Sequence, residues 1–180
     1  MNGTTFTNCD VGLSAWGQGA AVTHQFTNNI VSGSLAAGSV GAYITTDWIS
    51  WGYSDISVNF SGNTITGFET GVYLTADQQS WNPAAFTAQT INATFHLNQI
   101  HGNTNGVDMG TAGTYMADFE NNWWGATSGP SGVGPGTGDS VVAGIDYIPW
   151  CADLACTHFT PIVLVAPTGT LTSWENTFSW

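Results

Sequence analysis

The chain has 180 residues, with no lysine, no arginine, twelve acidic residues and a formal net charge of −12. Such a surface cannot neutralise phosphates, which excludes nucleic acid and anionic membranes as partners. With 42% hydrophobic and only 7% charged residues, the chain is also not an acidic disordered polymer. One main domain is expected at this length, faced with Thr, Ser, Asn and Gly. No stretch has the apolar length of a membrane span, and Met1 leads into "NGTTFTNCDVG" with no basic n-region.

Taken in chain order, four segments repeat: "HQFTNNIVSG" (24–33), "VNFSGNTITG" (58–67), "ATFHLNQIHG" (93–102) and the shorter "ADFENNWWG" (117–125). Each has Phe, then Asn three residues later, then an apolar residue two further on, then Gly. Phe26, Phe60, Phe95 and Phe119 lie 34, 35 and 24 residues apart. A strand-like alternation precedes each Phe, as in Val22-His24-Phe26 and Ile56-Val58-Phe60. A second short strand follows the Gly in "GAYITTD" (41–47), "GVYLTAD" (71–77) and "GVDMGTA" (106–112). Each unit is thus two or three short strands separated by Gly/Asn turns, without a convincing amphipathic helix.

Units this small cannot bury their apolar residues alone and must stack. A repeat of about two dozen residues with Asn at one corner and Gly at the next resembles the right-handed parallel β-helix of the pectate-lyase superfold. The resemblance implies an all-β solenoid, with the four Phe stacked inside at strand spacing of roughly 4.8 Å and Asn29, Asn63, Asn98 and Asn122 forming a hydrogen-bonded ladder. "NNWWG" with "SGPSGVGPGTGDSVVAGIDYIPWC" (128–151) resembles the closing rung of bacterial surface and secreted β-helix proteins. The domain is therefore expected over 1–151, its Pro/Gly loop crossing the open end and Val141, Ile145, Tyr147 and Trp150 giving a final apolar strand. Alternation puts one of Trp123 and Trp124 inside; the other is left for packing or for stacking on a sugar. Residues 152–180 are expected as an extended tail, since "APTGTLTSWENTFSW" (166–180) resembles the first strands of an Ig-like or fibronectin-like module. The first residues enter a rung already under way, so the chain is expected to be a fragment or a protomer completed by its neighbours.

Cys151 and Cys156 flank "ADLA" and are close enough for a small disulfide loop, which would suit an oxidising compartment; Cys9 is left over, in a strand-like stretch. The expected location is extracellular, secreted or at the cell surface. Asn2, Asn59 and Asn92 begin glycosylation sequons, frequent by chance in a Thr/Asn-rich chain.

Polysaccharide lyases of this superfold use an Arg or Lys base, which this chain lacks, and hydrolases need paired Asp residues about one water apart. His101-Gly102 falls at the turn glycine of its repeat. His24 and His96 occupy ordinary repeat positions and His158 lies past the cap, so no metal role is expected of the histidines. No catalytic residue is assigned and no cofactor is required. Asp47 and Asp77 align at the exit of the second strand. With no basic partner they either recruit Ca²⁺ or fan into water and cap their loops.

Two insertions follow those strands, "DWISWGYSD" (47–55) and "DQQSWNPAAF" (77–86). Stacking would bring Trp48, Trp51, Tyr53 and Trp81 to one side, with Asp55 and Gln78 among the polar groups beside them, and Trp16 precedes the equivalent strand of the first repeat. Such a set suits a neutral polysaccharide or surface glycan, aromatic faces covering the sugar ring and oxygens taking its hydroxyls. The same aromatics would equally pack the loops onto the wall. Three functions follow: a non-catalytic structural, adhesive or glycan-binding module, a self-associating filament subunit joined through incomplete ends, and a partial or inactive polysaccharide lyase or hydrolase.

Overall fold

The structure, a computed structural model, describes residues 1–17, 22–46, 55–76, 89–111 and 113–160. No described residue is helical. The strands come in triplets. The first is β1 (Thr5–Thr7), β2 (Val11–Gly17) and β3 (Val22–Thr27); the second is β4 (Ile30–Ser32), β5 (Val40–Thr46) and β6 (Ile56–Ser61). The third is β7 (Thr64–Thr66), β8 (Thr70–Ala76) and β9 (Thr90–His96); the fourth is β10 (Gln99–Ile100), β11 (Asn105–Met109) and β12 (Thr114–Asp118). β13 (Pro130–Gly132), β14 (Gly138–Val141) and β15 (Ile145–Asp146) follow.

Every triplet gives one strand to each of three parallel sheets: β1-β4-β7-β10, β2-β5-β8-β11 and β3-β6-β9-β12-β15. Register follows the sequence repeat, with Phe26 opposite Phe60 and Phe60 opposite Phe95. The three sheets enclose a single apolar core, to which Ala42, Ile44, Val72 and Leu74 come from the second sheet and Ile56, Val58 and Ile91 from the third.

The phenylalanines stack inside this core. Ring centroids are 4.4, 4.2 and 4.4 Å apart along Phe26, Phe60, Phe95 and Phe119, and the last three rings are nearly parallel, at 8° and 6°. Trp124 closes the column, fully buried beside Phe119, while Trp123 is half-buried and bridges to Gln99. The asparagines form the ladder: Asn29 Nδ2 donates to Asn63 Oδ1, Asn63 Nδ2 to Asn98 Oδ1 and Asn98 Nδ2 to Asn122 Oδ1, at 2.9, 2.9 and 3.0 Å. All four are buried, so the ladder satisfies polar groups that would otherwise be stranded at a bend.

Beyond β12 the Pro/Gly segment folds as the parallel pair β13–β14 instead of one final strand. Val141 and Ile145 are buried, Tyr147 and Trp150 only partly. Gly129 has φ +87°, and a Cβ there would sit 2.4 Å from Cε2 of Trp150, so glycine lets the indole close over the loop. Cys151 and Cys156 are bridged, and Cys151 pairs with Phe159, so residues 152–160 fold back as a loop and are not extended as expected, while 161–180, the rest of the expected tail, lie outside the described residues. Cys9 is a free thiol, half-buried against the core.

Candidate functional site

Alternation on the second sheet decides what its outer face shows. Because Ala42 and Ile44 point inward on β5 and Val72 and Leu74 on β8, Tyr43 and Thr45 must point outward, as must Tyr73 and Thr75. The register aligns Ser14, Tyr43, Tyr73 and Asp108 in one row and Trp16, Thr45 and Thr75 in the next. Tyr43 and Tyr73 thereby become neighbours, their ring centroids 6.0 Å apart and tilted by 35°. Trp16, 54% exposed, stands at the edge of the same face.

Tyr73 separates two clefts. One, of about 410 Å³, is lined by Tyr43, Tyr73, Thr75, Met109, Gly110 and Thr111. The other, of about 220 Å³, is lined by Ser39, Glu69, Thr70, Tyr73 and Asp108. The floor of the larger cleft depends on Gly110, where a Cβ would come 2.6 Å from Thr75 Oγ1 and 3.2 Å from Tyr115 Oη. Tyr115 reaches there from β12, and its hydroxyl accepts the Ala76 N–H at 3.1 Å. Burial, outweighing that hydrogen bond, raises its pKa, so the phenol keeps its proton.

The carboxylates of the smaller cleft are held by the backbone. Glu69 accepts the Gly38 N–H, its own N–H is held by Ser39 Oγ at 3.0 Å, and Asp108 Oδ1 accepts the Met109 N–H at 2.8 Å. The face therefore offers two phenol rings, fixed acceptor oxygens and threonine hydroxyls, in a chain without lysine or arginine.

Of the residues anticipated for glycan or Ca²⁺ binding, Trp48, Trp51, Tyr53, Trp81, Gln78, Asp47 and Asp77 lie outside the described residues. Asp55 is described and sits at the start of the third sheet, where Oδ1 accepts the Thr90 N–H at 2.9 Å. The strands that carry the two tyrosines end at Thr46 and Ala76. Tyr43 and Tyr73, the centre of this outer face, were not among the residues anticipated. The available signal was their recurrence at one position between two inward-facing apolar residues.

Comparison with protein-family models, with curated proteins and with solved structures finds no match. No described helix is long and apolar enough to cross a membrane.

Proposed function

We propose that the chain is a right-handed parallel β-helix serving as a non-catalytic, extracellular carbohydrate-binding module for neutral polysaccharide. The winding is supported by the one-strand-per-sheet return of each triplet, because parallel crossovers are right-handed in nearly all cases. The observation that carries the function is the pair Tyr43 and Tyr73, side by side over one cleft, with Tyr73 also lining a second that holds Glu69 and Asp108. Phenol rings cover the apolar face of a sugar while fixed carboxylate and hydroxyl oxygens take its hydroxyls. The Cys151–Cys156 bridge supports a secreted or surface location. A lyase role is disfavoured by the absence of any Arg or Lys, the base that lyases of this superfold use.

The test is retention of the purified protein on insoluble neutral glucans, mannans and xylans. Retention on at least one is expected, with loss in Tyr43→Ala and Tyr73→Ala variants whose melting temperature is unchanged. If the parent protein passes through every matrix unretarded, the reading is wrong.

A further inference from the structure

The outer face of the third sheet holds a different kind of group. His96 is the last residue of β9 and Asp118 the last of β12, and the register places Thr94 opposite Asp118. The next outward position after Asp118 is Glu120, level with His96. Nε2 of His96 lies 2.8 Å from Oδ1 of Asp118, and one donor atom from each of His96, Asp118 and Glu120 falls within 4.8 Å of the others. We propose that these three side chains bind one divalent transition-metal ion of the zinc class.

The donor set selects the ion. Two carboxylates and a neutral imidazole give a site of charge −2, which a divalent cation neutralises. An imidazole nitrogen favours zinc, nickel or copper, whereas Ca²⁺ takes oxygen ligands. Three protein ligands with an open fourth position is the arrangement of accessible zinc sites. Metal–ligand bonds of about 2.0–2.2 Å require the His96–Asp118 pair to part slightly and the Glu120 side chain to swing in. Both are small rotations of half-exposed groups.

The backbone beneath the cluster is cross-linked between the two strands. Leu97 and Asn121, which follow His96 and Glu120, have left-handed φ of +59° and +58°, and the Leu97 N–H donates to Asn121 O at 2.9 Å. The Glu120 N–H donates to Asp118 Oδ1 at 3.2 Å, orienting that carboxylate as outer-shell partners orient ligands. Asp118 also lines a shallow cleft of about 450 Å³ with Asn92, Thr94, Met116 and Asp146, which has room for water or a hydroxyl ligand on the metal.

A second pair shows what the cluster has in addition. His158 Nδ1 also meets a carboxylate, Asp153 Oδ2, at 2.8 Å, but Thr157 and His158 backbone N–H groups and the Thr157 hydroxyl occupy that carboxylate as well, and no third metal-binding side chain joins them among the described residues.

The experiment is titration of tag-free, EDTA-stripped protein with ZnCl₂, followed by calorimetry and by imidazole nitrogen NMR. One ion per chain with micromolar affinity is expected, with the His96 signals shifting first and excess CaCl₂ failing to compete. His96→Ala, Asp118→Asn and Glu120→Gln should each weaken binding at least tenfold, and His158→Ala should leave it unchanged. The idea is overturned by absence of saturable binding at millimolar zinc, by a bound ion that perturbs other histidines but not His96, or by His96→Ala binding like the parent. The NMR readout uses the unmutated protein and decides the matter even if a variant fails to fold.

Discussion

Replacing Asn63 by alanine tests whether the asparagine ladder holds the repeats together. Its Oδ1 accepts from both the backbone N–H and the Nδ2 of Asn29, each at 2.9 Å, and its own Nδ2 donates to Phe26 O and to Asn98 Oδ1, each at 2.9 Å. Asn63→Ala therefore removes the best partners of two buried donors and one buried carbonyl, while Asn98 Oδ1 keeps the Asn63 backbone N–H. Leaving a buried polar group unpaired costs about 1–3 kcal/mol, so with partial relaxation the loss should be about 3–5 kcal/mol. That is a large share of the roughly 5–15 kcal/mol that holds a domain folded. Asn29→Ala is the internal control: it removes one donor to Asn63 Oδ1 and the acceptor of the Thr4 N–H, and should cost about 1–2 kcal/mol. Urea unfolding followed by far-UV circular dichroism measures both. Equal costs for the two variants, or less than about 1 kcal/mol for Asn63→Ala, would refute a cooperative ladder.

Other changes separate the parts of the molecule. Gly110→Val should fill the cleft beside Tyr73 and weaken polysaccharide retention at least as much as Tyr73→Ala; unchanged retention would remove that cleft from the site. Replacing Cys151 and Cys156 together by serine opens a loop of sequence separation 5 and should cost roughly 2 kcal/mol by the chain-entropy relation, read as a lower urea midpoint; equal midpoints would show the bridge to be thermodynamically idle. Asp139 is held above its ordinary value of 3.8, chiefly by burial, against hydrogen bonds from Asn103 and Gly102. Its folded form thus binds the proton more tightly than the unfolded chain. Its stabilising effect is full below 3.8 and is lost as pH rises through the folded value. Stability of the parent minus that of Asp139→Asn should therefore fall as pH rises through this window, and a rising difference would invert the assignment.

The core was legible because the same residue recurs at the same place. Phe26, Phe60, Phe95 and Phe119 occupy one environment four times over, so spacing alone predicted their stack, and the buried asparagines three residues on were legible for the same reason. The first strand of each later triplet, β4, β7 and β10, is only two or three residues long and shows in the sequence just as Asn followed by an apolar residue. Tyr43 and Tyr73 were visible as repeated residues, but their importance lies in the outward half of the alternation, which a search for core positions passes over. His96, Asp118 and Glu120 left no periodic trace. Thr27 and Ser61 stand at the His96 position in neighbouring strands, so the cluster does not recur at that position and arises from register between strands more than twenty residues apart.

A chain with twelve acidic residues, no lysine and no arginine has few cationic partners to offer them, and backbone N–H groups near the ends of the parallel strands take six of them instead. Asp55 accepts the Thr90 N–H, Glu69 that of Gly38, Asp108 that of Met109, Asp118 that of Glu120, Asp139 those of Gly102 and Asn103, and Asp153 those of Thr157 and His158. Every bend in a parallel stack leaves peptide N–H groups turned out of the strand ladder, and an anionic oxygen satisfies them better than a neutral one. The negative charge is thereby spread along the corners as part of the backbone scaffold. Glu120 lies outside that scheme, and it stands beside the His96–Asp118 pair on a sheet face, where the proposed divalent ion would supply the counter-charge.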